Sequence, residues 1–331
     1  MSKKHKIYAF LSVFFAFFVI FPWIGAEKLE FREVFKFLIG EWTADGMILF
    51  QIRIPRVLMA LLAGGALGMA GAALQVMFRN PLAEPWTLGI AGGASFGAFI
   101  ARVCPFLWFS FGPMNTSQIL ALAGAGGALA LVLSLARRPG GMGTQTLLLA
   151  GVTIGVISGG AIMVVSGFIS PWKLAEFHRW LLGGLDAADW PQVATLATLV
   201  VPGLAILVWL SREYNPLGLG EEMAAGQGVD VARVRCWTAI GAGMASAGVA
   251  SVAGPIGFVG LLAPHAVRRL LGPDMRMVLP CSFLLGGALL AACDTLGRWV
   301  ASPLEVPVGA LTAVLGGPLF LWLLSRPCCL K

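Results

Sequence analysis

The chain has 331 residues, of which 58% are hydrophobic and 12% charged. Soluble chains average about 25% charged residues, so this composition argues against a soluble helical core. The net charge of +7 calls for no nucleic acid, because loop lysines and arginines of membrane proteins produce the same excess.

A bilayer core takes about 20 apolar residues of helix to cross. One Asp, Lys or Arg at mid-depth costs about 2.5–3.5 kcal/mol on insertion scales. Charge-free windows run over 7–26, 57–78, 85–101, 103–136, 139–172, 190–211, 236–267, 277–293 and 306–325. They predict an all-α polytopic membrane protein of about ten transmembrane helices. No polar stretch is long enough for a second folded domain, so 1–331 reads as a single transmembrane domain.

In chain order, Lys3, Lys4 and Lys6 precede a long apolar core that ends at Ile24 without a small-x-small exit. This predicts an uncleaved first helix with its N-terminus in the cytoplasm. Arg53, Ile54, Pro55 and Arg56 open helix 2 on the outer face. They read either as interfacial anchors or as a basic landing patch for an acidic soluble partner. Between helices 2 and 3, Asn80 reads as a helix cap and Pro81 as a first helical residue. Pro105 and the segment Gly112–Thr116 separate helix 3 from helix 4, and helix 5 is placed at about 147–168.

The longest cytoplasmic loop, about 212–232, joins helices 6 and 7. Within it Glu221 and Glu222 suit the positive end of a short helix, and glycines bound that helix on both sides. It reads either as an idle surface helix or as one that presents Met223 and Ala224 to a partner's groove. Gly254, Pro255 and Pro264 interrupt the next window, predicting a full helix 7 and a short, irregular helix 8. Irregular backbone at membrane depth needs protein or a water-filled cavity around it, so the 254–264 region belongs inside the bundle. Asp294 and Arg298 stand i,i+4 near the outer end of helix 9, the spacing of a helix-end ion pair.

Ten crossings put both termini in the cytoplasm, with fourteen Lys and Arg inside and nine outside, in the positive-inside sense. Glycine is abundant, 43 residues, and Gly64/Gly68, Gly89/Gly93/Gly97 and Gly151/Gly155/Gly159 have the spacing that lets helix backbones approach closely. The run Gly65–Leu74 in helix 2 is echoed by Gly241–Ala250 in helix 7. These helices cross in opposite directions, as in an inverted-topology repeat.

The absences matter as well. No Gly-Lys dipeptide occurs, so the chain holds no phosphate-binding loop of the G-x-x-x-x-G-K-[ST] type. No nucleophile–base pair stands in register. Six cysteines form no C-x-x-C pair and three histidines are scattered, so neither a metal site nor a cofactor is expected. Cys328 and Cys329 read as reduced cytoplasmic thiols. Asp294 is the one candidate for an ionisable residue at depth, which leaves an ion-coupled secondary transporter as the alternative function class.

Taken together, several segments resemble the FecCD-type permeases of ABC importers. They are Arg53–Arg56, Gln75–Pro85, Leu88-Gly89, Leu148–Gly151, Trp180–Gly184, Leu219–Gly228 and Gly257–Leu261. Pro264 and His265 with Arg268, Asp294 with Arg298, Glu305–Gly309 and Gly317–Phe320 complete the set. The resemblance implies the type II ABC importer permease fold in a bacterial cytoplasmic (inner) membrane. It implies a homodimer with two cytoplasmic ABC ATPase subunits and one periplasmic substrate-binding protein. The cargo would be an iron–siderophore, haem or cobalamin-type chelate, and ATP hydrolysis would belong to another chain.

By the same resemblance Arg53, Arg56 and Arg298 receive acidic residues of the binding protein. Leu219, Gly220, Ala224, Gly226 and Gly228 belong to the ATPase-coupling loop. Thr144 and Gln145 match a cytoplasmic gate just before helix 5, and His265 has a structural role. Gln227 departs from the pattern, which usually has Leu there.

Overall fold

A computed structural model of the protein describes residues 3–25, 27–104, 106–138, 141–300 and 305–324. Cys328 and Cys329 lie outside them, as do Arg326 and Lys331. Ten helices stand where the ten crossings are expected, and among the described residues six of them are long and apolar enough to span a bilayer. They are α1 (Lys3–Ile20), α2 (Ile54–Met77), α3 (Ile90–Val103), α4 (Thr116–Ala136) and α5 (Thr144–Ser166), then α6 (Trp190–Trp209), α7 (Val231–Ala253), α8 (Val259–Leu271), α9 (Met275–Val300) and α10 (Val308–Leu324).

Helix α2 is the axis of the bundle, with 89% of its apolar window buried. Its 24 residues span about 36 Å at 1.5 Å per residue. Glycine makes this burial possible. Gly64 backs onto Gly286 and Gly68 onto Ser282, so α9 runs antiparallel to α2 at backbone contact, and Gly71 meets Gly260 of α8. Without a hydrophobic driving force between helices in lipid, such close approach is what holds them together. Gly93 and Gly97 serve α3 against Gly124 and Leu120 of α4, and Gly203 serves α6 against Gly241 of α7.

The inverted relation of α2 and α7 is visible in their ends. Val76, near the end of α2, lies beside Gly218 of the 212–232 loop, and Tyr214 of that loop bonds Thr238 near the start of α7. α2 therefore finishes at the end of the bundle where α7 begins.

Some sequence expectations need correction. Pro264 does not break the chain; it lies within α8. The break is confined to 254–258, where Gly254 has φ +71 and Phe258 φ +67. The bundle satisfies this irregular stretch: Trp86 Nε1 donates to the Ile256 carbonyl at 2.8 Å, and Gly184 N–H donates to that of Ala253 at 2.9 Å. Asn80 is not a helix cap. Its Oδ1 accepts the Leu82 N–H at 2.9 Å, a local turn that competes with helix formation. The next helical residues are Pro85–Leu88. Helix α5 begins three residues earlier than expected, which draws Thr144 and Gln145 into its first turn.

Between α1 and α2 a short helix, Phe31–Leu38, exposes Phe31, Phe35 and Leu38 while burying Val34. Its charged residues Arg32, Glu33 and Lys36 share the same two turns, the pattern of a helix lying in a membrane interface.

Two candidate sites at opposite ends of the bundle

Pro55 stands at the second residue of α2 and has no N–H to give the carbonyl one turn back. The preceding turn, Ile48–Arg53, is widened into π geometry, a feature that recurs at functional sites. Arg53 leaves it turned toward backbone carbonyls, donating to Pro22 (3.3 Å) and Glu27 (2.7 Å). One turn further, Arg56 meets the end of antiparallel α9. Its Nε and Nη2 donate to Asp294 at 3.0–3.1 Å, and Nη1 donates to Glu305 Oε2 at 2.9 Å. Asp186 lies 3.6 Å from Nη2. Arg298 shares Asp294 through Nε at 3.1 Å and reaches Thr295 Oγ1 at 3.3 Å.

The anticipated Asp294–Arg298 pair is thus present as part of a larger network. An open basic patch is not what the structure places here. Arg53, Arg56 and Arg298 are 5%, 8% and 8% exposed, and Asp294 is 3% exposed. The physical reason is desolvation: guanidiniums at the end of a packed helix pair must be matched by acceptors. Asp294, Glu305 and Asp186 supply three carboxylates for Arg56 and Arg298, while backbone carbonyls serve Arg53. Asp294 is 238 residues from Arg56 in the chain, so helical spacing gives no hint of this pairing. Glu305 and Asp186 carried no sequence signal as partners.

At the opposite end the 212–232 loop folds into two short helices, Tyr214–Leu219 and Glu221–Gly226. Gly220 separates them with φ +140, and Gly228 closes the second with φ +80. The loop is fastened firmly. Tyr214 is fully buried with its hydroxyl 3.0 Å from Thr238 Oγ1, and burial pushes its phenol pKa up. Asn215 donates to Asp274 at 3.0 Å and accepts the Met275 N–H at 2.8 Å, tying the loop to the start of α9. Glu221 pairs with Arg235 of α7.

Leu219 and Met223 are exposed, whereas Ala224 is fully buried. The expectation that Met223 and Ala224 face outward together is corrected for Ala224, whose small side chain lets the second helix sit flat on the bundle. Gly226 and Gly228 face open space. Beside the loop lies a cavity of about 1100 Å³, lined among others by Val76, Asn80, Leu219, Arg268 and Asp274.

Thr144 and Gln145 lie in the first turn of α5, Gln145 exposed and Thr144 Oγ1 enclosed without a hydrogen-bond partner among the described residues. Helix α5 is itself unusual, since only 17% of its apolar window is buried. Leu149, Val152, Val156, Met163 and Val164 are exposed, and Gly155, Gly159 and Gly160 have open space where a side chain would be.

This fold, with a fastened two-helix loop at one end and an ion network at the other, is that of a membrane protein with several spanning helices. The sequence matches the FecCD transport family over residues 11–326, and the chain belongs to that family. It is 40% identical to the cobalamin import system permease protein BtuC of Halobacterium salinarum, over 92% of this chain and 79% of that one. It is 35% identical to the hemin transport system permease protein HmuU of Yersinia pestis, over 92% of this chain and 90% of that one. Among solved structures it is similar to a metal-chelate type ABC transporter in an inward-facing conformation, with a TM-score of 0.85 and 27% identity. That match covers 97% of this chain and 99% of the other.

Proposed function

We propose that two copies of this chain pair in the bacterial cytoplasmic membrane and pass a metal chelate of the iron–siderophore, haem or cobalamin type inward. The ion-network end faces out, and a periplasmic substrate-binding protein docks there over Arg53, Arg56 and Arg298. The loop end and both termini face the cytoplasm. Leu219, Gly220, Ala224, Gly226 and Gly228 form or brace the surface on which each of two ATPases pulls, with Leu219 exposed and Ala224 seating the loop from beneath. Thr144 and Gln145, at the cytoplasmic end of α5, form the gate. The chain performs no chemistry itself. ATP binding draws the ATPases together, the fastened loops transmit the motion to α7 and α9, and the paired permeases change which side is open.

The observation that carries this reading is the bare face of α5. A spanning helix with glycines open on its unpacked side suits a partner backbone or a bulky cargo better than lipid, because small residues gain little from lipid contact alone. The names of the relatives supply the chemical class of the cargo. The test is reconstitution of the permease with its cognate ATPases and binding protein. Chelate uptake should require ATP and all three proteins. Full-rate uptake by vesicles holding this chain alone under an ion gradient would replace the proposal with secondary transport.

A further inference from the structure

Arg56 is the hub of the ion network, and its three neighbouring acids differ sharply in access. Asp294 is 3% exposed and holds the inner edge of the guanidinium, Nε and Nη2. Glu305 and Asp186 have side chains 40% and 43% exposed, and both lie on connecting segments. Glu305 stands three residues before α10, and Asp186 lies in the loop between the helix Pro171–Leu181 and α6. Arg56 itself keeps only 10% of its side chain exposed. A carboxylate arriving from solvent therefore meets Arg56 where Glu305 and Asp186 already stand.

We infer that Glu305 and Asp186 are built-in competitors for the acidic groups of the docking partner, so that docking at Arg56 proceeds by exchange of one carboxylate for another. The inference rests on the proposal that an acidic binding protein docks at this end. Exchange has a physical advantage over simple addition. Buried guanidiniums short of counter-charge are costly; Asp294 alone serves both Arg56 and Arg298, and these two acids make up the balance whenever the partner is absent. The incoming carboxylate then replaces an existing bond and adds no uncompensated charge.

The exchange also has a mechanical consequence. The Gly309 N–H of α10 donates to the Gly183 carbonyl at 3.2 Å, stitching the segment that carries Glu305 to the one that carries Asp186. Asp186 is in turn 3.3 Å from Arg179. Release of Glu305 from Arg56 loosens the start of α10 at the moment of docking, while Asp294 continues to hold α2 to α9. Docking is thereby felt by one helix and not by the bundle as a whole.

The test uses the full permease–ATPase complex in nanodiscs and the cognate binding protein, with affinity measured for wild type, Glu305→Gln, Asp186→Asn and Glu305→Asp. Glu176→Gln serves as a control, because Glu176 is an exposed acid that stands 3.8 Å from Arg102, outside the Arg56 network. Removing a competitor should tighten docking by roughly two- to fivefold, the size of a part-exposed ion pair. Glu305→Asp, which keeps the charge, should bind as wild type does. Affinity unchanged or weakened in both Glu305→Gln and Asp186→Asn overturns the inference, and so does an equal gain in Glu176→Gln, which would reveal a general charge effect. Failure of the wild-type complex to bind the protein at all would instead remove the docking proposal itself, and the inference with it.

Discussion

Helices α2 and α5 are of nearly equal length and rich in glycine, and α2 beyond Arg56 is as free of charge as α5, yet 89% of the apolar window is buried in the first and 17% in the second. The glycines tell the two apart. Gly64, Gly68 and Gly71 of α2 are each opposed by a backbone carbonyl of α8 or α9, while a Cβ at Gly159 or Gly160 of α5 would meet nothing among the described residues. Small-residue spacing in a membrane helix thus marks a face fit for close approach, and only the fold decides whether the approaching backbone belongs to the same molecule. In α2 it does. In α5 the face is left open within the described residues, as the pairing and cargo path proposed above require.

The largest effect should come from adding a side chain on each face in turn. A Cβ on Gly64 would fall on the Gly286 carbonyl and 2.6 Å from Leu290 Cβ, and neither α2 nor α9 has room to retreat. Gly64→Leu should exceed the usual overpacking cost of about 1–3 kcal/mol and abolish recovery of monodisperse protein from detergent. Gly159→Leu should leave yield and melting temperature near wild type while reducing uptake at least tenfold. If both variants fold equally well, the contrast between the two helices is wrong.

The order of the apolar helices, including the six long enough to span a bilayer, was legible in the residues because exclusion of charge from lipid is a local rule that each segment obeys separately. A second local rule, that irregular backbone at membrane depth must be covered, put the 254–264 region inside the bundle, and the irregular part proved to be 254–258. What escaped were matters settled by partners distant in the chain. Arg56 reads as a free cation beside Pro55, and nothing near it announces Asp294. Ala224 reads as part of an outward face until Tyr214 and Arg235 pin the loop down and turn it under. Asn80 and Pro81 fit a helix start equally well as a turn, and the choice depends on where α8 leaves space for Pro85. Glu305 and Asp186 are single acids in connecting segments, and the structure alone shows that they converge on Arg56.

Next in size, Asp294→Asn removes the charge that both Arg56 and Arg298 share. Breaking a buried pair by deleting one partner typically costs about 3–5 kcal/mol. Thermal melting of the purified variant should fall accordingly, since the α2–α9 seam is the one this carboxylate closes. A melting temperature within a degree of wild type would mean that Glu305 and Asp186 alone suffice for the arginines. At the other end of the same two helices, Gly220→Ala places a side chain at φ +140, a region nearly reserved for glycine and costing about 1–3 kcal/mol. Because Gly220 has open space around it, that cost should fall on the loop alone. The expected result is assembled complex with ATP hydrolysis no longer stimulated by binding protein. Normal stimulation would remove the loop from the coupling path.

The smallest expected effect compares the surroundings of α2 and α5 through a single carboxyl. Glu84 lies in the connection after α2, and its Oε2 accepts the Phe258 N–H at 3.4 Å. Burial pushes its pKa above the usual carboxylate range, so the folded state favours the protonated form. The sign follows from linkage: the stabilising contribution is complete below the ordinary carboxylate pKa and is lost as pH rises through the elevated value. Glu84→Gln keeps an acceptor for Phe258 and carries no charge at any pH. It should therefore lose less stability than wild type between pH 4 and pH 8, by roughly 2 °C in melting temperature. Gln145→Glu, in the exposed first turn of α5, adds a carboxyl where water already reaches it and should leave that pH dependence unchanged. Parallel behaviour of the two variants would mean that the connection after α2 is as wet as the bare face of α5, and the division of the bundle into a sealed and an open side would have to be redrawn.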